Sequence, residues 1–77
     1  MKKIYKKGGE IMNKGVKKLI ESRKKLNLTQ EELSEKTSIN RNTIASIEAG
    51  INTPSISKAK ILAKFLNFDW TLFYEEE

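Results

Sequence analysis

Residues 28–50, LTQEELSEKTSINRNTIASIEAG, constrain the fold of this chain more than any other stretch. Thr29 followed by Glu32 has the spacing of a capping box, in which each residue supplies a partner for the other's backbone N–H. Gln30 to Lys36 then carries Leu33 as its main apolar anchor, enough for a helix of about two turns. Asn40 offers a second N-cap ahead of Arg41–Ala49, where Ile44 and Ile47 share an inner face and Arg41, Asn42 and Ser46 an outer one. Gly50 tolerates the positive φ that ends a helix. The stretch reads as two short helices joined by a tight turn, the second with a polar outer face.

The flanking sequence extends the helical pattern to five helices. The first runs from about Lys14 to Leu26, with Val16, Leu19, Ile20, Arg23 and Leu26 on one face at helical spacing. Pro54, the single proline, sits in a loop of residues 51–55 ahead of a fourth helix, about Ser55 to Leu66. That helix turns Ile56, Ala59, Leu62, Ala63 and Leu66 inward. Asn67 stands where a left-handed residue is expected, and Asp69 can cap a short fifth helix containing Trp70, Leu72 and Phe73. The strict alternation of a half-buried strand is absent, so the fold class is all-α.

Seventy-seven residues suffice for one small domain near the lower limit of a core without cross-links. With no cysteine and no histidine, the chain lacks thiolate metal sites, disulfides and the commonest general base. It also has no Gly-rich phosphate loop and no paired inward carboxylates, so an enzyme is the least favoured reading, and no metal or cofactor is expected. No apolar run approaches the roughly 18 residues of a membrane span. The chain is expected in the cytoplasm, associated with the nucleoid.

The net charge of +5 suits a polyanionic partner, although +3 of it lies in the first eleven residues. That segment has no helical periodicity and a Gly-Gly pair, and residues 1–13 are expected to be a flexible basic extension of a domain over 14–74 that ends in an acidic tail, 75–77. Lys7 to Met12 can be encoded by AAA GGA GGT GAA ATT ATG, which resembles a bacterial ribosome-binding site before a start codon. Met12 is therefore the expected natural start, with a basic arm that touches DNA as the alternative. The intact mass of protein made from its own gene decides between them, and a species beginning at Met1 refutes the first.

Two helices linked by a tight turn match the helix-turn-helix arrangement, whose second helix enters the DNA major groove with its N-terminal residues at base edges. Arg41 suits the paired acceptors of guanine, Asn42 the donor–acceptor pair of adenine, and Ser46, one turn on, either partner. Leu19-x3-Arg23, Leu28-Thr29-Gln30-Glu31-Glu32-Leu33, Ile39-Asn40-Arg41-Asn42-Thr43-Ile44, Ile47-Glu48-x-Gly50 and Pro54-Ser55-Ile56, with Ala63 and Leu66, occur in that order. From Leu19 to Phe73 the chain thereby resembles the phage-repressor and Cro-type, or XRE-like, helix-turn-helix family. It departs from the family at Ser34, where Ala is usual, and at Ser38 and Asn67, where Gly is usual.

The resemblance implies a compact five-helix, lambda-repressor-like bundle of prokaryotic or phage type that regulates transcription, most often as a dimeric repressor on an inverted-repeat operator. It implies that Arg41, Asn42 and Ser46 read bases. Gln30, Asn40, Thr43 and Asn52 are the candidate phosphate contacts, although Gln30 also belongs to the capping turn and Asn40 can serve only as a cap. The resemblance also implies that Arg23 and Glu48 pair inside the bundle as a structural ion pair. Phe65, Leu72 and Tyr74, with Ile61, either cover the core or form an apolar patch through which two copies associate. Double-stranded DNA is the expected partner, with a homodimer at least on DNA. A toxin-like protein partner is the second hypothesis, and a protein-interaction module that has lost DNA binding the third. The chain has no room for a small-molecule ligand domain.

Overall fold

Each α-helix of the computed structural model, which describes residues 13–75, begins at a side chain that accepts from a backbone N–H with no partner within its helix. Asn13 Oδ1 accepts from the N–H groups of Gly15 and Val16, at 2.7 and 3.1 Å, and starts α1 (Lys14–Lys25). Thr29 starts α2 (Gln30–Thr37) with both halves of the capping box: Thr29 Oγ1 accepts from Glu32 N–H at 3.0 Å, and Glu32 Oε1 accepts from Thr29 N–H at 2.8 Å. Asn40 caps α3 (Arg41–Glu48) and Ser55 caps α4 (Ile56–Leu66). Apart from Asn13, the basic extension lies outside the described residues, as do Glu76 and Glu77 of the acidic tail.

Left-handed residues carry the chain out of these helices. Asn27, Ser38 and Asn67 have φ of 57°, 61° and 63°, and Gly50 has 76°. Asn adopts this conformation more readily than most residues. At Ser38 a serine bears the strain in a turn where the resembled family usually has glycine.

Among the described residues the bundle has four α-helices, not five. After Asn67 the chain has only Trp70–Tyr74 for a last element, and these residues form a 3-10 helix. Its Leu72 N–H donates to Asp69 O at 3.2 Å, and a run this short suits the tighter 3-10 spacing better than an α-helical ladder. Asp69 Oδ1 accepts from the Thr71 hydroxyl at 2.7 Å and from its N–H at 3.0 Å, and these bonds hold the Asp69 carboxyl below its ordinary pKa. The stabilisation is present at neutral pH and is lost as pH falls through that lowered value.

The core is built from Val16, Leu19, Leu33, Ile39, Ile44, Ile47, Ala59, Leu62, Leu66 and Phe73, with Ile20, Phe68 and Trp70 packed against it. Two residues expected inside lie outside. Leu26 is 54% exposed because it is the C-cap of α1, where the backbone already turns toward Asn27. Ile56 is 56% exposed because it opens α4, and a helical side chain leans toward the N-terminus, here off the end of the core.

The 3-10 helix closes the bundle against the start of α1. Asn13 Nδ2 donates to Phe73 O at 2.9 Å across 60 residues of sequence. Gly15 permits this approach, since a Cβ there would lie 2.6 Å from the N, Cα and Cδ1 of Phe73.

Two glycine substitutions therefore have opposite signs. Gly15→Ala is expected to destabilise the fold by about 1–3 kcal/mol, since two of the three clashing atoms are backbone and cannot swing aside. Ser38→Gly is expected to stabilise it by about 0.5–1 kcal/mol, the relief of left-handed strain exceeding the entropy glycine adds to the unfolded chain. Urea unfolding of both variants measures the two effects.

Candidate nucleic-acid interface

The position of α3 depends on its last residue. Glu48 takes two bonds from Arg23 of α1: Nε donates to Oε2 at 2.7 Å and Nη2 donates to Oε1 at 2.9 Å. The third donor, Arg23 Nη1, reaches Leu28 O at 2.7 Å and so ties down the loop between α1 and α2. Gln30 Nε2 donates to Glu48 Oε1 at 3.0 Å, which brings in the start of α2. The Arg23 and Glu48 side chains are 11% and 8% exposed, so the fork of bonds forms largely out of water. Glu48 thus ties α3 to α1 and to the start of α2, and Arg23 extends the network to the loop.

With its rear held, α3 presents its first turn outward. Arg41 and Asn42 are exposed and adjacent at that end, while Ile44 and Ile47 on the opposite face have no exposed surface. Ser46 is half-buried one turn along, and its carbonyl accepts from the N–H groups of Ile51 and Asn52, at 3.0 and 3.3 Å. The loop after α3 therefore folds back on Ser46 and sets exposed Asn52 close to the C-terminal half of the helix. Asn40 is exposed, with Oδ1 accepting from Asn42 N–H at 2.7 Å, so its oxygen acts as the cap. Thr43 is half-buried. The half-buried Gln30 side chain donates one amide N–H to Glu48, and the backbone N–H groups at the start of α2 lie beside it.

Of the three apolar candidates near the C-terminus, Phe65 and Leu72 line two neighbouring hollows. Phe65 is 39% exposed in an open groove of about 500 Å³ between the ends of α1 and α4, beside Leu26. Leu72 is half-buried in a neighbouring depression with Lys14 and Lys17, and Lys18 and Glu21 line both hollows. Tyr74 lines neither hollow. Its hydroxyl donates to Pro54 O at 2.6 Å, and its ring meets Trp70 edge-on with centroids 5.9 Å apart. Lys60 Nζ stands 5.0 Å from the centre of the Trp70 ring.

Glu31, on the first turn of α2, stands beside Arg41. Its Oε1 lies 3.8 Å from Arg41 Nε, and the two side chains are 63% and 56% exposed. Glu31 reads in the sequence as one acid among Glu31, Glu32 and Glu35, and the tight turn that brings it to Arg41 is the signal that singles it out.

The chain is similar to known proteins in sequence and in fold. A family model described as Helix-turn-helix matches residues 19–73. An uncharacterized HTH-type transcriptional regulator of Bacillus subtilis, YqaF, is 36% identical over 66 residues, which cover 86% of this chain and 83% of that protein. An uncharacterized HTH-type transcriptional regulator of Archaeoglobus fulgidus is 40% identical over 60 residues, 74% of this chain and 84% of its own length. The crystal structure of an HTH_3 family transcriptional regulator from Vibrio cholerae superposes with a TM-score of 0.68 over 80% of this chain. It is 21% identical, a likeness of fold, and this chain spans 35% of its length.

Removing one member of the Arg23–Glu48 pair leaves the other charge buried. Glu48→Ala is expected to cost about 3–5 kcal/mol in chemical denaturation, whereas the double replacement Arg23→Met with Glu48→Leu is expected to cost far less than either single change. A double variant as unstable as Glu48→Ala contradicts this account of the pair.

Proposed function

The chain belongs to the helix-turn-helix family of XRE-type transcriptional regulators, and from that premise we propose that it binds DNA sequence-specifically and represses by occupancy, as a dimer on an inverted repeat. The observation that carries this reading is the pairing of a fixed rear with an open front on α3: Glu48 is held by Arg23 and Gln30, while Arg41 and Asn42 stand exposed on the first turn. A helix so held can enter a major groove without losing its register on the domain. Arg41 meets guanine O6 and N7, Asn42 meets adenine N6 and N7, and Ser46 lies further along the same groove. Phosphate contacts come from the start of α2 at Gln30, from Asn40 and Thr43 around the start of α3, and from Asn52 on the folded-back loop.

A single short reading helix covers only a few base pairs, so two copies related by a two-fold axis supply the rest of the specificity. Phe65 and Leu72 are the contacts, across the shared rim of Lys18 and Glu21. Tyr74 contributes at most its exposed ring edge, since its hydroxyl is engaged with Pro54.

Arg41→Ala and Asn42→Ala are each expected to lose about 1–3 kcal/mol of discrimination at one base pair per half-site, with helicity unchanged. Selection of sites from random DNA reads this directly, and an unchanged preference in Arg41→Ala refutes the placement of the reading helix. Leu72→Glu is expected to weaken binding to a full inverted repeat far more than to a half-site. The new carboxylate would lie among lysines, so the monomer tolerates it. Equal losses on both sites, with intact helicity, exclude this surface as the dimer contact.

A further inference from the structure

Glu31 places a negative charge where a DNA-binding surface gains from positive ones. It stands on the first turn of α2, the end of that helix proposed above to face phosphate, and its Oε1 is 3.8 Å from Nε of Arg41. Glu31 has no part in the capping box, which Thr29 and Glu32 complete between them. Nor does it join the hub around Glu48, whose partners are Arg23 and Gln30. A carboxylate in the first turn of α2 is favoured by the helix dipole wherever it points, and that leaves the approach of Glu31 to Arg41 to be accounted for.

The geometry supplies a reason for it. A guanidinium has five donors in a rigid fork, and a carboxylate at the Nε side leaves the two terminal nitrogens free to address the paired acceptors of guanine. The same carboxylate offsets the charge of Arg41 and repels a nearby phosphate, so Arg41 is a poor clamp for backbone alone. Phosphate attraction supplies most of the affinity for unrelated sequences, and base contacts supply the discrimination.

We propose that Glu31 is a specificity-determining residue, which aims the Arg41 fork at guanine and weakens binding to DNA that lacks a guanine at that position. The proposal rests on the reading of Arg41 as a base contact. Glu31 acts through Arg41 and touches no base, so it is a positioning residue.

The test compares Glu31→Gln with Glu35→Gln, which removes the same charge from an exposed position one turn further along α2. Affinities are measured at one salt concentration for a duplex selected from random DNA and for the same duplex with the guanine opposite Arg41 replaced. Glu31→Gln is expected to narrow the ratio between the two duplexes by up to about fivefold, the scale of an exposed ion pair, mainly by tightening the substituted one. Glu35→Gln is expected to shift both affinities by a common factor and leave the ratio intact. In an Arg41→Ala background, Glu31→Gln is expected to leave the ratio unchanged. Equal ratios for Glu31→Gln and the parent protein overturn the proposal. So does a narrowing that Glu35→Gln reproduces, or one that persists without Arg41. If Arg41→Ala itself does not alter base preference, the reading of α3 fails first, and that result is distinct from a failure confined to Glu31.

Discussion

The bond between the Arg23 guanidinium and the Glu48 carboxylate is the constraint on which the arrangement of this small bundle depends. α3 has only eight residues, and a helix of that length has little stability of its own. The apolar contacts of Ile44 and Ile47 hold it to the core but allow it to rock, because dispersion and burial have no direction. Two parallel N–H···O bonds from a planar fork restrict that freedom. Desolvating both charges offsets much of their attraction, so the pair contributes more to the orientation of α3 than to net stability. The further bonds to Leu28 O and from Gln30 pass the same orientation to the other half of the helix-turn-helix.

What the sequence made legible was local. Thr29 and Glu32 announce their own capping box, Asn40 and Ser55 cap the helices they precede, and the spacing of Leu33, Ile44 and Ile47 marks the buried faces. Each of these features depends on neighbours within a turn or two. What escaped the sequence was long-range or terminal. The contact of Gly15 with Phe73 and the bond from Asn13 to Phe73 O join residues about 60 apart, and no local pattern encodes them. The expected fifth α-helix fails for want of length, and Leu26 and Ile56 lie outside because periodicity ignores helix ends.

The candidate site divides along the same line. Arg41 and Asn42 follow from their place just after an N-cap, and both are exposed there. The inward turn of the Gln30 side chain depends on where Glu48 ends up, 18 residues later. Tyr74 is similar: its apolar ring suggests a contact surface, whereas its hydroxyl ties the C-terminal 3-10 helix to Pro54 and so braces the loop that leads into α4. Side chains with two chemical ends can carry two roles, and a pattern of apolar and polar residues shows only one of them.

On this reading, DNA meets the open first turn of α3 and the adjoining start of α2. Backbone amide shifts recorded while a duplex selected from random DNA is titrated into the protein test it most directly. The largest shifts are expected at Gln30, Asn40, Arg41, Asn42, Thr43, Ser46 and Asn52. Shifts concentrated instead around Leu26, Phe65 and Leu72, with Arg41 and Asn42 unmoved, would contradict it.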